Sequence, residues 1–102
     1  MGRNTAVRLS KQELPRGEAR VVAIAGQPVA IFSLGDEFVA VQSHCPHQGA
    51  PLEAGLLLGA TLICPWHGWR FNLRDGTCET RTHCRLRKYS IVDHGAEIEV
   101  GN

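Results

Sequence analysis

Short β-prone runs recur at 21–25, 29–33, 38–42, 61–64, 69–72, 88–92 and 97–100, and turn chemistry stands between them. The separators are Gly26-Gln27-Pro28, Gly35-Asp36, Gly59, Asp75-Gly76 and Asp93-His94-Gly95, residues that supply positive φ, fixed φ or a local side-chain bond to the backbone. Such spacing predicts an antiparallel all-β domain. Only residues 10–14 suggest a helical turn, and Pro15 ends it. A chain of 102 residues fits one core, so residues 1–102 are expected to form one domain that holds the whole function.

Composition removes several classes of function. A formal net charge of +1, 6% aromatic residues and a pI near 7.8 give neither the basic footprint nor the stacking platform of a nucleic-acid binder. No apolar run approaches the roughly 18 residues of a membrane span, and MGRNTAVRLS lacks the apolar stretch of a secretory leader. The opening also departs from a myristoylation signal, with Ala6 where Ser or Thr is wanted. The expectation is a cytoplasmic protein with no membrane and no nucleic-acid partner.

One stretch, about 43–75, differs from its flanks. It holds three of the five prolines and both tryptophans, yet between His44 and Gly68 the only residue charged by default is Glu53. An ordinary solvated loop is not built this way. The pattern predicts a small subdomain of two loops, inserted between strands and ordered by something bound between them.

Two runs inside it name the candidates. SHCPHQGAPL places Cys45 and His47 as Cys-x-His, and ICPWHGWRFN places Cys64 and His67 as Cys-x-x-His after sixteen intervening residues. Two thiolates and two imidazoles suit a tetrahedral zinc site. They also suit a dinuclear iron centre, in which each loop gives its thiolate to one iron and its imidazole to the other. The mixing of ligand types within each loop favours iron, since zinc modules commonly group Cys with Cys and His with His. The Pro after each Cys and the Gly close after each His point the same way. They shape loops that turn backbone N–H groups inward, toward the charge that bridging sulfides carry.

CPHQGAPL followed by CPWHGWRFN is similar to the two cluster-binding boxes of Rieske iron–sulfur proteins, and the likeness runs from GDEFVAVQSHCPH through NLRDG to the KYSIVDHGAEIEV tail. The resemblance implies one Rieske 2Fe-2S cluster, with Cys45 and Cys64 on the inner iron and His47 and His67 on the outer, solvent-facing iron. It implies an antiparallel β-sandwich that carries a cluster-binding subdomain. Respiratory Rieske proteins add a Cys to each box, where this chain has Ala50 and Trp66, and carry Ser and Tyr hydroxyls after the second box, where it has Trp69 and Phe71. The chain therefore resembles the low-potential class. Within that class it is similar to the ferredoxins of bacterial ring-hydroxylating oxygenases.

That resemblance implies a monomeric electron carrier, itself no enzyme, between a flavin-dependent ferredoxin reductase and a terminal oxygenase. The rival is the Rieske-like small subunit of assimilatory nitrite reductase, whose partner would be the large subunit. Other residues are expected to be structural: His44, His83 and His94 as packing or solvated side chains, Cys78 and Cys84 as free buried thiols, and Arg81, Arg85, Arg87 and Lys88 as a solvated strand face. Pro46, Pro51, Leu52, Pro65 and Trp66 are expected to form an apolar cover over the cluster.

Overall fold

The computed structural model describes residues 6–35, 37–46, 49–66, 68–80 and 84–101. Among these residues nine strands form: β1 (Val7–Ser10), β2 (Ala19–Ile24), β3 (Gln27–Ser33), β4 (Phe38–Gln42), β5 (Leu56–Leu58), β6 (Thr61–Ile63), β7 (Arg70–Asn72), β8 (Lys88–Asp93) and β9 (Glu97–Gly101). All seven predicted runs appear, with ends shifted by one or two residues. The predicted helical turn is a 3-10 turn, Lys11–Glu13, with the Ser10 hydroxyl accepting from the Gln12 N–H. Two strands went unpredicted. The alternation of β1 is short, and β5 lies in a leucine run that carries no alternation signal.

Every pairing is antiparallel, giving a six-stranded sheet in the order β1-β9-β8-β4-β3-β2 and a three-stranded sheet β5-β6-β7 inserted between β4 and β8. The β4–β8 junction is only two residue pairs wide, Ala40 with Tyr89 and Val41 with Lys88. On either side of it the halves fold toward one another, and Val29, Ile31 and Ala40 share one core with Leu9, Ile98 and Val100. Side chains alternate across a strand, so β3 and β4 send Ala30, Phe32, Val39 and Val41 to the opposite face. There they meet Leu52, Leu62, Cys64, Phe71 and Leu73. Central strands buried on both faces read as continuous apolar runs, as VAIF and FVAV do.

A narrow connector ties the small sheet to the large one. After β7 the chain turns at 72–77 and pairs back along it, with Phe71 opposite Cys78, Asn72 N–H on Thr77 O at 2.8 Å and Glu79 N–H on Arg70 O at 2.7 Å. On its other side the same segment pairs with the run entering β8, Thr77 opposite Arg85 and Leu86 N–H on Gly76 O at 2.8 Å. Phe71 is fully buried at the centre of this arrangement. Phe71→Ala is expected to cost about 3–5 kcal/mol in chemical denaturation, the usual range for an emptied aromatic site. A loss below about 1 kcal/mol would show that the connector closes over the space.

Two turns of this fold are held by carboxylates. The Thr77 hydroxyl and N–H both donate to Asp75, at 2.6 and 2.9 Å, and Arg85 adds its charge, so the Asp75 carboxyl lies below its usual 3.8. Asp93 is lowered in the same way by the Gly95 N–H and by Lys11. A lowered folded-state pKa means that the unfolded chain binds protons first as pH falls. The contribution of both groups is therefore complete above about pH 4 and lost as pH drops through the folded values. Urea midpoints of the wild type and of Asp75→Asn should differ by a constant amount near neutrality and converge in acid. A gap that stays constant down to about pH 3 would contradict the assignment.

Candidate metal centre

Cys45 follows β4 and Cys64 follows β6, so each sulfur stands where a strand gives way to a loop. Neither is in a disulfide, both are 2% exposed, and both belong to the core between the two sheets. The loops they open share one hydrogen-bond pattern. The Cys45 N–H donates to Ala50 O at 2.8 Å and the Gly49 N–H to Cys45 O at 2.8 Å. In the second loop the Cys64 N–H donates to Trp69 O at 2.8 Å and the Gly68 N–H to Cys64 O at 3.1 Å. Residue i is thus bonded to i+4 and i+5 in both. Gly49 and Gly68 take matching positive φ, 77° and 73°, with open space where a Cβ would lie. Backbone conformation, rather than crowding, calls for glycine there.

His47 and His67 occupy the tips of these loops in sequence and lie outside the described residues, as do Arg81 and His83. Among the described residues no three His, Cys, Asp or Glu side chains gather as a metal site. The donor chemistry nonetheless fits an iron–sulfur group. Two thiols come from twin loops in an apolar setting, and the loops turn backbone N–H groups back on themselves. Buried thiols of this kind are soft ligands of the sort such clusters take.

The expected cover is only partly a cover. Pro46, Pro65 and Trp66 are exposed, Trp66 at 60%, and Pro51 is half-buried. Leu52 instead opens a 3-10 turn, Leu52–Ala54, and points into the core at 0% exposure. The hydrogen bond from Leu52 N–H to Ser43 O, 2.8 Å, sets this inward direction by pairing the far side of the first loop with its entrance. Ala50 is likewise buried, Phe71 is at the core centre, and Trp69 packs against it.

The bystander residues take structural roles. The exposed His44 ring meets the buried Ser43 hydroxyl at 3.0 Å, and His94 meets Glu99 at 2.9 Å. Arg85 donates to Asp75 O, Arg87 lies over the Tyr89 ring and Lys88 donates to Arg74 O, which fits a solvated strand face. Cys78 is buried and Cys84 half-buried. Desolvation, with the neighbouring Cys78 and Cys45 sulfurs, pushes the Cys84 thiol above its ordinary value.

One positioning residue escaped sequence reasoning. The Gln42 side chain donates to His44 O at 2.8 Å and accepts from the Arg87 N–H at 2.7 Å, which locks the entrance of the first loop to the run entering β8. Nothing local marks it, since its partner is 45 residues away.

Comparison with known proteins bears directly on this centre. The Rieske 2Fe-2S domain family matches residues 4–90. The biphenyl dioxygenase ferredoxin subunit of Pseudomonas sp. (strain KKS102) is 37% identical over 93 residues, covering 89% of this chain and 85% of that subunit. Among solved structures, the ferredoxin of carbazole 1,9a-dioxygenase from Nocardioides aromaticivorans IC177 superposes with a TM-score of 0.88 at 28% identity, covering 96% of this chain and 98% of that one. A nitrite reductase NADPH small-subunit protein shares the fold, with a TM-score of 0.83 at 21% identity over 97% of this chain and 100% of that one. Seven longer curated relatives match as well, and this chain spans only 11% to 22% of their length. No helix among the described residues is long and apolar enough to cross a membrane. With twin cysteine loops on an antiparallel platform and a family match over most of its length, the chain belongs to the Rieske 2Fe-2S family and carries one Rieske-type 2Fe-2S cluster.

Proposed function

We propose that this chain is the ferredoxin of an aromatic-ring-hydroxylating oxygenase system and takes single electrons from a flavin-dependent reductase to a terminal oxygenase. The observation that carries the reading is the pair of matched loops, each holding one buried thiol over the same core. The proposed ligands are Cys45 and Cys64 to the inner iron and His47 and His67 to the outer. When bound, the cluster supplies a site that accepts and releases one electron.

The rest is done by the protein. Buried Ala50, Leu52, Leu62 and Phe71 keep water from the cysteine side, while exposed Pro46, Pro65 and Trp66 offer an apolar tip on the loop side. In this reading residues 1–102 form one domain, about 43–75 is its cluster-binding part, and the protein acts as a cytoplasmic monomer with no substrate chemistry of its own. The likeness to a dioxygenase ferredoxin subunit over 85% of that subunit's length supports it. The rival, a small subunit serving a nitrite reductase large subunit, has likeness of fold at 21% identity as its support.

Metal analysis should return about two irons and two acid-labile sulfides per chain. Cys45→Ser and Cys64→Ser should lose the cluster, His47→Cys and His67→Cys should alter its spectrum and lower its potential, and Cys78→Ala should leave the spectrum intact. Stoichiometric zinc without sulfide would overturn the ligand assignment.

Trp69 and Phe71 bring no hydroxyl to the sulfurs, and fewer hydrogen bonds there stabilise the reduced state less. The midpoint is expected near −150 to −100 mV, the lower end of the roughly −150 to +300 mV Rieske range, and should hardly move between about pH 6 and 8. A midpoint above about +100 mV would place the chain with the respiratory class instead. Trp66→Glu should slow electron transfer to the oxygenase and leave the midpoint nearly unchanged. Unaltered transfer would move the docking face away from the tip.

A further inference from the structure

Cys78 and Cys84 face one another across an antiparallel pairing. Leu86 N–H on Gly76 O, Thr77 opposite Arg85, and Cys78 N–H on Cys84 O at 3.2 Å all share one register, which sets the two cysteines directly opposite. Both pack in the core that holds Cys45 and Cys64, and the Cys78 side chain is a near neighbour of the Cys84 thiol. Opposed residues in a hydrogen-bonded pair of this kind have Cα atoms about 5.5 Å apart, in the middle of the range that a disulfide spans. Cβ atoms in such pairs are about 5.5 Å apart or slightly less, so closing the bond draws them together by about 1 to 2 Å. The end of a short ladder can yield that much. Cys84 is half-buried and Cys78 buried, so a small oxidant reaches one sulfur first. Two donors fall short of a structural metal site, and no set of three or more His, Cys, Asp or Glu placed to hold a metal ion is found among the described residues.

We propose that Cys78 and Cys84 form a reversible disulfide that staples the cluster-bearing sheet to the six-stranded sheet. Cys78 belongs to the segment paired with β7, and Cys84 to the run entering β8, so the bond would span the connector between the sheets. The oxidant is a low-molecular-weight disulfide of the glutathione class. The Cys84 thiol first gives up its proton, a step its raised pKa makes slow, and the sulfur then attacks the small disulfide, forms a mixed disulfide and releases one small thiolate. The Cys78 thiolate then attacks the Cys84 sulfur and releases the second. Two protein thiols lose two electrons and two protons, and one small disulfide becomes two thiols. The bond closes a loop over residues 79–83 and limits separation of the strands beside Cys45.

The test uses the wild-type holoprotein, held without oxygen and treated with oxidised glutathione. The chain is then denatured in acid, alkylated and weighed. The alkylated chain should carry two fewer alkyl groups than the untreated protein, and its mass without alkylation should be lower by two hydrogens. Tryptic peptides 75–81 and 82–85 should be joined, and dithiothreitol should separate them. Cys78→Ser should instead hold one glutathione on Cys84. The oxidised holoprotein should also lose its visible absorbance to an iron chelator severalfold more slowly than the reduced one. A lasting glutathione adduct on wild-type Cys84, a bond from either residue to Cys45 or Cys64, or two thiols still open to alkylation would overturn the disulfide. Equal rates of cluster loss in the two forms would overturn the staple.

Discussion

Each box cysteine is at once a core residue and the anchor of a loop, and the same few backbone bonds enforce both roles. The N–H of Cys45 and of Cys64 is taken by a carbonyl five residues on, and the carbonyl of each is taken by a glycine N–H four residues on. With its backbone groups satisfied inside the loop, the residue can be buried without a desolvation penalty, and its sulfur can point into apolar surroundings. The proposed ligand set, thiolates at the buried ends and imidazoles from the intervening positions, is consistent with buried, hydrogen-bonded cysteines of this kind.

Those loops need a platform that does not yield, and β3 and β4 provide it. Their alternating side chains fill two cores, one shared with β1 and β9 and one shared with the small sheet. Any shift of these strands would disturb both cores together, which makes the surface beneath the cysteines stiff. Sites carried on such elements hold their geometry better than sites carried on loops alone. Gln42 adds a polar lock at the end of β4, and the segment around Cys78 adds another at the far edge of the small sheet.

The electrostatic setting follows from the same packing. Between the two cysteines the chain carries Glu53 as its only residue charged by default, and the basic side chains of the strand entering β8 are spent on Asp75, Arg74 O and the Tyr89 ring. The stretch between the cysteines therefore contributes little fixed charge of its own. In so apolar a setting, backbone dipoles and hydrogen bonds to sulfur have a larger effect on a bound group than they would in water. The potential is then set by which donors the fold brings near.

The sequence by itself determined the all-β class, seven of the nine strands described, the twin boxes and the nature of the bound group, because each is written among neighbours. Alternation, turn residues and a Cys with its His a few positions away need no distant contact to be read. Where Leu52 points, where β5 pairs, what Gln42 holds and which residue faces Cys78 were decided only by the tertiary structure. Leu52 and Leu56–Leu58 sit in apolar text without alternation, so burial alone could not assign them a face or a partner. Gln42 meets Arg87 across 45 positions, and Cys78 meets Cys84 only because a three-stranded pairing sets the register on both sides of the connector. A register is fixed by hydrogen bonds between strands, and no local composition encodes which residue will stand opposite.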